Sequence, residues 1–154
     1  MTVAPLLILA VGNPSRGDDA LGPRLLERLG AEPEVQAGQV ELLTDFQLQI
    51  EHALDLLGRR QVLFVDAQVG LQQPFRVSPL TPAPDPSPHS HALSPRAVLA
   101  TYRQLYGEPP PAWLLALRGE HFELGAGLSP ASEQALDAAH QWLVERLRQG
   151  NLAE

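Results

Sequence analysis

Short apolar runs alternate along this chain with segments in which apolar residues recur at helical spacing. The continuous run at residues 6–11 predicts a strand that is covered on both faces, as in a parallel sheet. The segments 40–43, 61–66 and 113–117 predict three further strands. The residues at helical spacing are Leu21, Leu25, Leu26 and Leu29; Ile50, Leu54 and Leu57; Val98, Leu99, Tyr102 and Leu105; and Leu136, Ala139, Leu143 and Leu147. This alternation predicts a three-layer α/β/α sandwich with a mostly parallel central sheet.

Turn and capping residues set the expected bounds of these elements. Gly30, Gly58 and Gly150 mark helix ends, and the pairs Ser94–Pro95 and Ser129–Pro130 are typical of helix starts, with serine as the cap and proline in the first turn. Residues 74–80 predict an edge strand. Residues 81–88 hold four prolines, which lack a backbone donor, so we expect an extended surface loop there.

Composition narrows the possible partners and compartments. The 154 residues fit one domain, 1–154, and the net charge of −7 with only 11 Lys and Arg argues against nucleic-acid or membrane binding. The chain has no cysteine, which excludes thiolate metal sites and cysteine nucleophiles. The first apolar run is too short for a membrane span and lacks the basic flank of a signal peptide, so we expect a cytoplasmic protein.

The loop after the first strand carries the most informative chemistry. Gly12 and Gly17 bracket four residues, as in a phosphate-binding loop, but Asp18 and Asp19 follow where that motif needs Lys and then Ser or Thr. Two carboxylates there would repel a phosphate. The sequence also lacks the serine-hydrolase motif Gly-x-Ser-x-Gly and the zinc-peptidase motif His-Glu-x-x-His.

The remaining donors are oxygens and imidazoles, which suit a divalent ion such as nickel or zinc. Asp18 is equally well explained as a helix N-cap, which leaves Asp19 as the freer ligand. We expect Asp66 at a strand's carboxyl end, the edge where ligands bind in open α/β sheets. Of His89 and His91 we favour His91 as a ligand. We expect three further histidines on surfaces without a role: His52, His121 and His140.

Four motifs together resemble the nickel-iron hydrogenase maturation endopeptidases: GNPSRGDDALGP at 12–23, VDA at 65–67, SHALSP at 90–95 and ELGAGLSP at 123–130. Their order and spacing agree over nearly the whole chain. The resemblance implies the same three-layer fold. It also implies an endopeptidase that removes the C-terminal extension of a hydrogenase large-subunit precursor once nickel has been inserted.

By motif, the resemblance implies that Asp19, Asp66 and His91 bind the metal and carry catalysis. Gly12, Gly17 and Asn13 would then shape the loop, and Asp18 would cap or orient it. This chain has Asp45-Phe46-Gln47-Leu48-Gln49 where many members have an Asp-Gly-Gly-Thr turn. We expect four residues of these two loops to contact the substrate: Asn13, Asp18, Asp45 and Gln47.

The implied cofactor is nickel, as the ion held by the precursor rather than one bound permanently. The implied partner is the precursor, and we expect the protease itself to be a monomer. A chain of a different class, a non-catalytic nickel-binding or chaperone module for the large subunit, would carry the same motifs. An assay for cleavage separates the two.

Overall fold

The computed structural model describes residues 3–86 and 93–153. The strands are β1 (Leu6–Val11), β2 (Val40–Asp45), β3 (Gln61–Val69), β4 (Phe75–Leu80) and β5 (Ala112–Gly119). They form one sheet in the order β2-β1-β3-β5-β4, in which β4 alone is antiparallel to its neighbour. The α-helices are α1 (Leu21–Leu29), α2 (Pro33–Gln36), α3 (Pro95–Tyr106) and α4 (Pro130–Gln149), and two 3-10 helices span Gly17–Ala20 and Ile50–Leu56.

Two apolar layers lie on opposite faces of this sheet. Alternate residues of β1 point to opposite faces, so Ile8 packs with α1 and α4 while Leu7 packs with α3. The 3-10 helix Ile50–Leu56 shares the second face with α3 and contributes Leu56 to it. The predicted three-layer α/β/α sandwich with a mostly parallel sheet is confirmed.

Local sequence signals set most of the element bounds. Ser94 and Ser129 both cap helices, because each serine hydroxyl accepts a hydrogen bond from the backbone N–H three residues later. Gly150 ends α4 in a left-handed conformation, with φ of 74°. Residues 75–80 form the expected edge strand. None of the helices in the described part of the chain is long and apolar enough to span a membrane.

The helix predicted between residues 45 and 60 is wrong in type and in orientation. The segment Ile50–Leu56 is a 3-10 helix, with three residues per turn instead of 3.6. The residues expected to be buried, Ile50, Leu54 and Leu57, are therefore exposed, while Ala53 and Leu56 face the core. Leu105, expected in the buried face of α3, is also exposed.

Candidate functional site

The carboxyl edge of the sheet carries two acidic side chains, Asp19 and Asp66. Asp66 lies inside β3, and the prediction that it ends a strand is wrong. Pairing of β3 with β1 stops at Val65, whereas pairing with β5 continues to Val69. Asp66 is therefore the first residue of β3 beyond its pairing with β1, in register with Val11, the last residue of β1. By strand alternation its side chain is on the face that holds Phe64 and α3.

The environment of Asp66 disfavours its charged form. The pKa of this carboxyl is raised to about 6, chiefly by burial and also by the negative charge of Asp19, against the lowering effect of the Ala67 N–H. That N–H donates to Asp66 Oδ1 at 2.8 Å. Asp19 and Asp66 are thus close enough to repel each other, as expected for two ligands of one cation or for an acid–base pair.

Asp19 is held by the turn that precedes it. Its Oδ2 accepts a hydrogen bond from the Asn13 N–H at 2.7 Å, and its own N–H donates to the Arg16 carbonyl at 3.0 Å. Gly12 lets this turn close, because a Cβ there would lie 2.0 Å from the Asp19 carbonyl oxygen and its φ is +150°. Gly17, with φ of +54°, likewise leaves no room for a Cβ against the His121 carbonyl.

Asp18 does not cap α1, and the N-cap interpretation is wrong. The N-cap is Ala20, which makes no side-chain capping bond. Asp18 is fully buried and instead binds the segment after β5: Oδ2 accepts from the N–H groups of Glu120 and His121 at 2.7 and 2.9 Å. The Ser129 N–H donates to Oδ1 and the Ser129 hydroxyl to Oδ2, each at 2.9 Å. Asp18 thus orients the loop as a structural support. The prediction that it contacts the substrate is wrong, because its side chain is fully buried.

The pKa of Asp18 is shifted in the direction opposite to that of Asp66. Burial alone would raise it, but the N–H donors from His121, Glu120 and Ser129 outweigh burial and lower the pKa to about 2. Ser132 extends the network, since its Oγ lies 2.9 Å from the Ser129 Oγ. Neither serine is predicted as a site residue from the sequence, although Ser129 lies within the motif at 123–130 and Ser132 follows it.

The end of β2 adds Asp45 to the same edge. The Asp45 carbonyl accepts from the Gly12 N–H at 3.0 Å, which ties β2 to the turn beneath Asp19. Its carboxylate accepts from the Phe46 N–H at 2.7 Å and lies 3.3 Å from His52 Nε2. Beside it is a cavity of about 250 Å³, lined by Gly12, Pro14, Pro23, Thr44, Asp45 and Phe46. Gln47 is half-buried in the following loop.

His52 is buried, and its predicted place on a surface is wrong. The Gln49 N–H donates to its Nδ1 at 2.8 Å, so the ring proton is on Nε2 and points to the Asp45 carboxylate. His121 is exposed, as expected. His140 is half-buried in α4, with Nε2 inaccessible to solvent, and its surface prediction is also wrong. No local pattern distinguishes these three histidines in the sequence.

Both histidines considered as ligands, His89 and His91, lie outside the described residues, so the role of His91 stays a prediction. Among residues 3–86 and 93–153 no three His, Asp or Glu side chains are grouped so as to hold a metal ion. Asp19 and Asp66 supply two carboxylate groups, which fit a divalent cation but are too few to retain one alone. Leu93, two residues after His91, donates its N–H to the Leu48 carbonyl at 3.2 Å.

No model of a known protein family matches the sequence, and no curated protein does. Solved structures do match. The hydrogenase maturating endopeptidase HybD from Escherichia coli is 23% identical with a TM-score of 0.71, and the match covers 97% of this chain and 94% of that one. An endopeptidase from Escherichia coli is 25% identical with a TM-score of 0.70, at the same coverage of 97% and 94%.

A third match comes from an archaeon. The [NiFe] hydrogenase maturation protease HycI from Thermococcus kodakarensis is 22% identical with a TM-score of 0.71, and the match covers 94% of this chain and 93% of that one. All three structures match over nearly the full length of this chain. The chain therefore has the fold of the hydrogenase maturation endopeptidases, the fold that its four motifs predict.

Proposed function

We propose that this chain is a nickel-iron hydrogenase maturation endopeptidase, which removes the C-terminal extension of a large-subunit precursor after nickel insertion. The observation that carries the proposal is the approach of Asp19 and Asp66 at the carboxyl edge of the sheet, where the charge of one raises the pKa of the other. The motifs at 12–23 and 65–67 that supply these acids resemble those of the family, and the named structures support a protease role.

The nickel ion belongs to the substrate in this proposal. Two carboxylates fit a divalent ion, and binding to them reports that insertion is complete. His91 is the proposed third ligand. A chain without cysteine, in which two carboxylates and one imidazole are the proposed donors, is suited to sensing an ion that another protein holds. The nickel in the precursor supplies Lewis acidity near the scissile carbonyl.

The residues of this chain supply orientation and proton transfer. A carboxyl with a pKa of about 6 is mostly ionised at pH 7 and basic enough to accept a proton from water, so Asp66 is suited to general-base catalysis. The oxygen of that water attacks the carbonyl carbon, the C–N bond breaks, and the proton passes to the leaving amine. Asp19, fixed by Asn13, keeps the second carboxylate in place.

The decisive assay compares nickel-loaded and nickel-free precursor and weighs the products by mass spectrometry. We expect a loss of mass only with the nickel-loaded precursor. Asp19→Ala, Asp66→Ala and His91→Ala should each abolish cleavage, whereas Glu145→Ala, which removes an exposed acid from α4, should not. Binding of the precursor without any mass loss would identify a chaperone instead, and cleavage by all three site variants would overturn the proposal.

Location and assembly complete the proposal. The low content of Lys and Arg and the net charge of −7 support a protein substrate over nucleic acid or a membrane surface. We propose a cytoplasmic monomer. Sedimentation of the purified chain, and its fractionation from cells, test these two points.

A further inference from the structure

Four large apolar side chains are exposed within twelve residues after β2. Phe46 is 68% exposed, Ile50 60%, Leu54 56% and Leu57 40%. We call these four residues the 46–57 apolar face. Isolated exposed apolar residues are common, but several together on one short segment are typical of a surface that another protein covers.

The local structure holds this face outward. Leu48, Ala53 and Leu56 pack into the core beneath it, and His52 ties the segment to Asp45. In a 3-10 helix residues three apart are in line, so Glu51 and Leu54 follow one outer row, and Leu57, the extended residue that caps the helix, is exposed as well. The segment is therefore anchored from inside, and its exposed leucines cannot turn inward without displacing residues already buried there.

The 46–57 apolar face begins at the candidate site. Phe46 directly follows Asp45 and lines the cavity beside the Gly12 turn that supports Asp19. The Leu48 carbonyl accepts from the Leu93 N–H, so the segment also adjoins the start of α3. A protein bound to this face would reach the two acids at its Phe46 end.

The charge around the face indicates the chemistry of the partner. Residues 45–57 contain three acids, Asp45, Glu51 and Asp55, and no Lys or Arg. The nearest cation along the chain, Arg59, forms its ion pair with Glu41. Two copies of the chain meeting symmetrically through this face would bring like charges together, which disfavours a homodimer.

We propose that the 46–57 apolar face is the docking surface for the protein substrate, and that it fits an apolar patch bordered by Lys or Arg. This inference rests on the proposed function and goes beyond it, because it assigns substrate binding to residues outside the acidic pair. Docking there holds the precursor while its scissile segment lies at Asp19 and Asp66.

The test compares exposed leucines of similar accessibility on two elements. Leu54→Ser, alone and with Ile50→Ser, should raise KM for nickel-loaded precursor about tenfold and leave kcat within twofold, since a docking contact is equally strong in the ground and transition states. Glu51→Lys should raise KM severalfold. The control Leu105→Ser changes a leucine on α3 that is 61% exposed and should alter neither constant.

Thermal melting of each variant and sedimentation of the wild-type chain accompany the kinetics. An unchanged KM in the double variant, or an equal rise in Leu105→Ser, would overturn the docking surface while the proposed function stands. A wild-type dimer that the double variant converts to monomer would assign the face to a second copy and overturn the inference. Wild-type protein that neither binds nor cleaves the precursor would overturn both.

Discussion

Asp18 and Ser129 are 111 residues apart in the chain and are joined by two hydrogen bonds, one from the Ser129 N–H and one from its hydroxyl. Asp18 precedes α1 and Ser129 caps α4, so this contact joins the loop after β1 to the loop after β5. The neighbouring Asp19 is placed by the same loop. The geometry of the proposed acid pair therefore depends on a buried carboxylate that does not itself contact the site.

We expect Asp18→Asn to lower the free energy of unfolding by about 3 kcal/mol. An asparagine cannot accept four hydrogen bonds here, because its NH2 group would face a donor, either the Ser129 N–H or the group of donors at Oδ2. Urea unfolding followed by circular dichroism measures the loss.

Asp137→Asn is the matched control for this substitution. Asp137 is an exposed aspartate of α4 that pairs with Arg28 at 2.6 Å. Because exposed ion pairs contribute little, its loss should change the unfolding free energy by less than about 0.5 kcal/mol. Equal effects of the two substitutions would contradict the structural role of Asp18.

The low pKa of Asp18 predicts a specific loss of stability in acid. Its folded pKa of about 2 is below the ordinary value of 3.8, so its contribution is complete above pH 3.8 and is lost as the pH falls toward 2. The size of the shift corresponds to about 2 kcal/mol. The difference in unfolding free energy between wild type and Asp18→Asn should therefore shrink between pH 5 and pH 2. A difference that stays constant with pH would contradict this assignment.

Sequence patterns predict the elements whose signals are local. The apolar runs at β1 and β3 need no information about their neighbours, and neither do the Ser-Pro starts of α3 and α4. The alternation of strand and helix segments also predicts the carboxyl edge of the sheet, because parallel strands end at the same edge. That edge brings Asp19 and Asp66 near each other, as expected.

The remaining features depend on distant parts of the chain. The position of Asp66 inside β3 is set by β5, which pairs with β3 beyond the end of β1. Asp18 resembles a helix cap because its partners lie more than 100 residues away. Ile50, Leu54 and Leu57 fit a buried α-helical face, but the segment forms a 3-10 helix that ends at Leu56 and buries Ala53 and Leu56 instead.

The close approach at Gly12 predicts that Gly12→Ala disrupts the site and destabilises the fold. An alanine Cβ would lie 2.0 Å from the Asp19 carbonyl oxygen, so the turn and Asp19 must move. We expect a loss of at least about 2 kcal/mol in unfolding free energy and of precursor cleavage. Gly127→Ala is the control, because no atom lies within 4 Å of its added Cβ. Its stability should match wild type, and a stable Gly12→Ala variant would refute the argument.

Because the pKa of Asp66 is raised, we expect its charged carboxylate to lower the free energy of unfolding at neutral pH. Its folded pKa of about 6 exceeds the ordinary 3.8, so the native state is favoured most below pH 3.8 and loses about 3 kcal/mol as the pH rises through 6. Asp66→Asn removes that titration. In metal-free buffer with EDTA, we expect the variant to be more stable than wild type at pH 7 and similar to it at pH 4, while precursor cleavage is abolished.

Urea unfolding at both pH values measures this, with Asp137→Asn as the reference for losing an exposed carboxylate. Equal stability of Asp66→Asn and wild type at pH 7 would show that burial and Asp19 do not disfavour the charged carboxylate.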